Sequence, residues 1–278
     1  MMVNRKILVI IVAYVFLFFG CNATIVKRAN KDLEQSNLNR NVQSYSVKSV
    51  LWQQSSGEYR ALAYQAFRLA HLELDKMLLE NKNNESLVII TDIDETILDN
   101  SPFFGKLIEL NENFSNERWS EWEKKINAKS VPGAVEFFQY AANKGVGVFY
   151  ISNRYDAQLN QTLTNLKNIG FPFADKEHVL LKTDSSAKET RRNKVSTENK
   201  IIMLLGDNLS DFSNVFENSS MKKRNDLVES LKEDFGRKFI VLPNPMYGDW
   251  ESQGIYEGRY NWTPKEKDSI IRSKLISY

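Results

Sequence analysis

Cysteine is almost missing from this chain of 278 residues: there is one, so no intrachain disulfide can form and no site can be built from several thiolates. Histidine is nearly as scarce. Two imidazoles fall short of what zinc hydrolases and multi-histidine phosphoesterases need, so both classes are excluded. Glycine and proline number only 12 and 6, which excludes collagen-like and low-complexity chains. An excess of one charge is also lacking. The 37 basic residues nearly match the 35 acidic ones, without a long basic run, so the chain has no electrostatic footprint for a nucleic acid polymer. What is present, 42% hydrophobic and 26% charged residues, fits a folded globular protein able to bury a sizeable core.

The N-terminus reads as an address and an anchor. Arg5 and Lys6 precede the apolar run Ile7 to Phe19, and Gly20-Cys21 follows. That run is too short to span a bilayer comfortably and suits a secretory h-region, so residues 1–20 are expected to be a signal peptide. A lone cysteine directly after the run, preceded by glycine, resembles a bacterial lipoprotein processing site, where the thiol is acylated and becomes the new N-terminus. Phe18 and Phe19 depart from the small or aliphatic residues usual there, and an ordinary signal peptide with an incidental cysteine is the competing reading. Acylation at Cys21 implies an exported protein held to a membrane, on the outer membrane or the periplasmic face. Export would remove Arg5 and Lys6 and no acid, leaving a mature net charge of zero. Residues 21–46, rich in Asn, Ser, Lys and Gln, are expected to form a flexible, lipid-anchored tether.

From Val47 to Leu79 apolar residues recur at helical spacing, with Gly57 as a candidate division into two helices. Leu87–Thr91 reads as a short strand buried on both faces. Further strands are expected at Val146–Ile151, Val179–Leu181, Ile201–Leu205 and Phe239–Leu242. Helices are expected between them, over 133–144, 156–168, 186–194 and 223–235. Alternating strands and helices predict an α/β fold with a doubly wound parallel sheet. Ligands of such sheets bind beyond the carboxyl ends of the strands. His71, His178 and Trp250 are read as structural residues.

The predicted strand ends carry acids, a serine and lysines. Asp92-Ile-Asp94-Glu-Thr96 follows the first strand and Ser152-Asn153-Arg154 the second. Lys182 closes the third, Lys188 begins the next helix, and Gly206-Asp207-Asn-Leu-Ser-Asp211 follows the fourth. This order resembles the four motifs of the haloacid dehalogenase superfamily. The resemblance implies phosphoryl transfer with Asp92 as nucleophile and Asp94 as general acid and base. It also implies Ser152 and Asn153 on the phosphoryl group, and a lysine on both nucleophile and phosphate: Lys188, with Lys182 as the alternative. A carboxylate attacking an anionic phosphate needs cationic help, so Mg²⁺ is expected, held by Asp92, the Asp94 backbone carbonyl, Asp207 and Asp211.

A narrower resemblance lies in Trp52-Gln-Gln-Ser-Ser-Gly-Glu58-Tyr59-Arg60-Ala-Leu-Ala-Tyr64, Asp92 to Asn100, and Leu242-Pro-Asn-Pro-Met-Tyr247-Gly-Asp-Trp250. These segments are similar to the class C acid phosphatases, bacterial lipoprotein phosphatases and 5′-nucleotidases, and the likeness spans about residues 47–278. It implies one phosphatase domain over that range, with a small helical cap from an insert of about residues 99–130. It also implies Trp119 and Tyr247 as rings that sandwich a nucleotide base. The expected function is Mg²⁺-dependent hydrolysis of 5′-nucleotides and aromatic monophosphates through an aspartyl-phosphate, at the cell surface or in the periplasm. Two other readings remain at this stage: a phosphatase for small non-nucleotide esters, and a non-catalytic surface-binding lipoprotein on the same fold. The oligomeric state is open, a homodimer included. Histidine acid phosphatases are excluded, because no Arg-His-Gly segment occurs.

Overall fold

The computed structural model describes residues 44–81 and 85–278. The expected signal peptide, most of the tether and Cys21 lie outside the described residues. One boundary is corrected. Residues 44–55 form helix α1, so residues 44–46 belong to a helix and not to the tether. Tyr45 donates its hydroxyl hydrogen to Asp268, 2.6 Å away near the C-terminus, which fixes this end to the folded body.

Helix α2 (Gly57–Glu80) starts where Ser56 breaks the helical run, its Oγ accepting from the Tyr59 N–H. Tyr59, Ala63, Phe67, Ala70 and Leu74 fall on one stripe of α2 and are its buried residues. The strands are β1 (Leu87–Thr91), β2 (Leu98–Asp99), β3 (Lys129–Ser130), β4 (Gly147–Tyr155), β5 (Val179–Lys182), β6 (Lys200–Gly206) and β7 (Phe239–Val241). Between and after them run α3 (Ser101–Leu110), α4 (Asn116–Glu123), α5 (Ala134–Asn143), α6 (Leu159–Ile169), α7 (Glu189–Ser196), α8 (Met221–Ser230) and α9 (Pro264–Ser273).

The main sheet has the order β5-β4-β1-β6-β7, with every adjacent pair parallel. The chain leaves β1 toward β4 and β5, then returns across β1 to β6 and β7. The turning point therefore falls at the carboxyl ends of β1 and β6, where this topology opens a crevice. All five residues of β1 are buried. Ile89 packs with α2, α5 and α6 on one face, and Val88 and Ile90 pack with Val195 of α7 and Phe212 on the other. The cap is small. The pair β2–β3 joins Leu98 to Ser130 and Asp99 to Lys129, and α3 and α4 lie in the insert that it closes.

Candidate active site

The first acid of the Asp92 motif leaves the sheet at once. Asp92 follows the last residue of β1, and its backbone N–H is held by the carbonyl of Leu205 in β6. Lys188, just before α7, donates to Asp92 Oδ1 and stands 2.7 Å from Asp211 Oδ1. The structure thus brings Lys188 to the nucleophile position. Lys182 lies instead over the Tyr155 ring, 3.9 Å from its centroid. Carboxylate oxygens of Asp92, Asp207 and Asp211 lie within 4.8 Å of one another. Thr96 Oγ1 is 3.2 Å from Asp92 Oδ2 and 3.1 Å from Asp207 Oδ1, so its one hydrogen is shared between them. Asn244 Nδ2 donates to Asp207 Oδ2 at 2.8 Å. Asp211 Oδ2 accepts from the Asn208 N–H at 3.0 Å. Only glycine fits at 206, because a Cβ there would come within 2.4 Å of Asp211 Cβ.

Burial pushes Asp92 up to about 7 against the pull of Lys188, with Asp211 and Asp94 adding to the rise. Burial, then Asp211 and Asp92, hold Asp207 well above the usual carboxylate range. Burial works against the charge of Lys188, but Asp211 and Asp92 outweigh it and push the ammonium up to about 12. Ionised together, the three carboxylates would exceed the one ammonium by two negative charges, which is why burial and mutual repulsion raise Asp92 and Asp207. A hard divalent cation with oxygen ligands matches that deficit, so the residues present fit such an ion.

Asp94 lies on the other side of the motif and has its own cation. Arg154 Nη2 is 2.7 Å from Asp94 Oδ1, and Arg154 Nε reaches both carboxylate oxygens. Asn100 Nδ2 donates to Oδ1 at 2.8 Å, and Ser152 Oγ lies 3.3 Å from Oδ2. Ser152, Asn153 and Arg154 lie within the last residues of β4, which runs past the expected strand end at Ile151. Ser152 is fully buried, whereas Asn153 is exposed and accepts from Arg191 Nη2 at 2.8 Å.

The two aromatic residues expected to close on a base stand apart. Tyr247 is stacked on Phe104, with centroids 4.9 Å apart, and Phe104 meets Phe103 edge-on. Phe103 in turn meets Trp119 edge-on at 5.0 Å. Two phenylalanines therefore link Trp119 to Tyr247, and no direct contact of these two rings occurs among the described residues. Trp119 is buried beside Phe103 and Leu107. The two rings expected to sandwich a base thus lie at the ends of a file of four packed rings. A cavity of about 210 Å³ borders Tyr247 and Phe104 on the side of α1 and α9.

Sequence reasoning passed over several residues that the site uses. Glu95 is fully buried with a left-handed backbone, φ 62°, and accepts from the Tyr247 hydroxyl and from the Asn100 N–H. Burial and Asp94 hold its carboxyl well above the usual range. Glu95, Asn100, Arg154 and Asn244 all fall inside the quoted motif segments, so their proximity was the available signal. Glu123, 3.7 Å from Arg154 Nε, had none.

A family model described as HAD superfamily, subfamily IIIB (Acid phosphatase), matches residues 19–250. The structure of the class C acid phosphatase from Bacillus anthracis is 40% identical with a TM-score of 0.82, covering 85% of this chain and 99% of that one. The same enzyme with tungstate bound is also 40% identical, with a TM-score of 0.81, covering 85% and 98%. Acid phosphatase 1 of Solanum lycopersicum is 29% identical over 168 residues, 58% of this chain. The chain spans only 58% of the length of that curated relative.

Proposed function

The chain belongs to subfamily IIIB, the acid phosphatases, of the HAD superfamily, and from that premise we propose that it hydrolyses phosphomonoesters through an aspartyl-phosphate on Asp92. One observation carries the reading. A buried carboxylate stands at the sheet's turning point with a lysine on one oxygen, two further acids within 4.8 Å and a second aspartate two residues on. Asp92 attacks phosphorus in line with the leaving oxygen, and the P–O bond to the leaving group breaks. Asp94 gives its proton to the leaving oxygen and then takes one from the water that attacks the phosphoenzyme. Lys188 offsets charge on nucleophile and phosphate. Ser152 and Asn153 are assigned to the phosphoryl oxygens.

Mg²⁺ is the ion assigned to the acid cluster, with Asp92, the Asp94 carbonyl, Asp207 and Asp211 as its holders. When bound it neutralises phosphate charge and lets an anion approach an anion. The substrates assigned are 5′-nucleotides and aromatic monophosphates. Tyr247, Phe104 and the cavity beside them support that choice, since flat rings suit a base or an aryl group. Trp119 enters this assignment only if the ring file opens when substrate binds. The enzyme is assigned to the exported side of a membrane, anchored through acylated Cys21. The reading draws on the leader, where a short apolar run ends in Gly20-Cys21.

The test is a hydrolysis panel of nucleoside 5′-monophosphates, aryl phosphates and small alkyl phosphates, with and without EDTA, on wild type and Asp92→Asn. Metal-dependent turnover in wild type and none in the variant is expected. Turnover surviving in Asp92→Asn, with deamidation excluded, overturns the mechanism. Mass spectrometry of the expressed protein checks Cys21, and an unmodified cysteine or cleavage elsewhere rejects the anchor.

A further inference from the structure

Helix α4 of the cap turns three consecutive-turn residues toward the general acid. Trp119, Trp122 and Glu123 are spaced i, i+3, i+4 and so share one face. Arg118, on the flank of that face, is paired with Glu112 and Glu121. Ser115 starts the helix, its Oγ accepting from the Arg118 N–H at 3.2 Å. None of the three inward residues touches Asp94. Each touches something that does.

Trp122 Nε1 donates to Asn100 Oδ1 at 2.8 Å. An indole N–H can only donate, so it fixes which end of the Asn100 amide is oxygen and turns Nδ2 toward Asp94. Asn100 Nδ2 then meets Asp94 Oδ1 at 2.8 Å. The second route runs through Arg154. Trp119 places its ring against the guanidinium, 5.6 Å from Cζ to centroid, and Glu123 Oε1 lies 3.7 Å from Nε. Thr162 Oγ1 accepts from Nη1 at 3.2 Å, so the fork is held on several sides.

The result at Asp94 is asymmetric. Oδ1 accepts at 2.7 Å, 2.8 Å and 3.0 Å, whereas Oδ2 has contacts of 3.1 Å and 3.3 Å only. One oxygen is saturated by donors and the other is loosely held. A saturated oxygen has no lone pair left for a proton.

We propose that Trp119, Trp122 and Glu123 are positioning residues that pin Asp94 Oδ1 through Asn100 and Arg154, leaving Oδ2 as the oxygen that hands its proton to the leaving group. The inference rests on Asp94 being the general acid. It assigns Trp119 to the acid and not to a substrate ring, and it makes the cap a determinant of which esters turn over.

The test uses leaving groups. Ethyl phosphate needs a proton on its departing oxygen and p-nitrophenyl phosphate does not. With assays run at pH 8, where Glu123 is ionised, Trp122→Phe keeps a ring and removes only the N–H, and Glu123→Gln keeps the shape and removes the charge. Each should lower kcat for ethyl phosphate by about tenfold or more, while kcat for p-nitrophenyl phosphate falls by less than about threefold. In an Asp94→Asn background, Trp122→Phe should cause no further selective loss, because the group it orients is gone. Trp119→Ala should depress ethyl phosphate and a nucleoside 5′-monophosphate alike, since both have alkoxide leaving groups. Equal losses on both leaving groups, or selective losses that multiply in the double variant, overturn the proposal. If Glu123→Gln fails to fold, Trp122→Phe and its double variant decide alone. Should Asp94→Asn be selective while the helix variants are not, this inference falls and the phosphatase reading stands. Should Asp94→Asn hit both leaving groups equally, the assignment of the acid falls and takes the inference with it.

Discussion

The two halves of the site solve the problem of buried charge in opposite ways. Around Asp92, three carboxylates face one lysine, and every contributor comes from the core at the ends of β1 and β6 or just before α7. Around Asp94, the carboxylate has its own arginine, and the supports come from β4, the start of α3 and the cap helix. The first half is short of positive charge and is built to take a ligand. The second is electrically served before any ligand arrives and is built to hold a direction. Charge to be met by a ligand and a carboxylate held in one orientation are thereby given to different parts of the fold.

That contrast can be broken in order of size. Asp92→Asn removes the only group placed to attack, and kcat should fall by at least about a thousandfold with the fold intact by circular dichroism. Asp94→Asn should cost about 100- to 10,000-fold on alkyl phosphates and much less on p-nitrophenyl phosphate. A variant that lost both equally would place Asp94 with the charge-binding half. Asp207→Ala should raise the Mg²⁺ needed for half-maximal activity by about tenfold or more, measured by titrating EDTA-treated enzyme. Asp94→Asn should leave that titration nearly unchanged, because only its backbone carbonyl is assigned to the ion. Tyr247→Phe strips buried Glu95 of a donor, and chemical denaturation should show a loss of about 1–3 kcal/mol.

The smallest effect is a pH dependence of stability. Burial pushes Glu123 up to about 7, with Arg154 opposing and Asp94 and Trp119 also facing it. A carboxyl raised in the folded state keeps its proton between its ordinary value of 4.5 and about 7, while the unfolded chain has released it. Its contribution is therefore present at low pH and is lost as pH rises through that window. Glu123→Gln should lose a few degrees less than wild type in Tm between pH 5 and pH 7. Equal losses would mean that Glu123 is already ionised and belongs wholly to the ion pair with Arg154.

The five strands of the main sheet were legible because each contains a compact apolar run, and the acids of the site sit at the ends of those runs. Asp92, Asp94, Lys188, Asp207 and Asp211 all arrive where strand-end reasoning puts them. The sequence favoured Lys188 and left Lys182 as the alternative: Lys182 ends the third strand and Lys188 opens α7, and only the path between them decides which points inward. The apolar pattern ends the expected strand at Ile151, yet β4 continues through Ser152 to Tyr155. Its polar residues are stabilised there by Arg191, whose Nη1 reaches the Ser152 carbonyl at 2.5 Å. The packing of Phe103 and Phe104 between Trp119 and Tyr247 was not legible, since spacing shows only which rings share a helix face. Glu123 was invisible, because its importance comes from residues distant in sequence.

The position of β1 has a consequence for how the molecule is made. Its residue 88 pairs with residue 147, and its residue 87 with residue 200. Both edges of this central, wholly buried strand must therefore wait for later parts of the chain, the second until β6 has been synthesised. During that interval a run of five apolar-face residues carries an open edge, the geometry that invites pairing with another chain. Chains halted between residues 155 and 200 should thus be sticky intermediates, and Asp92, directly after β1, should acquire its partners Lys188, Asp207 and Asp211 late.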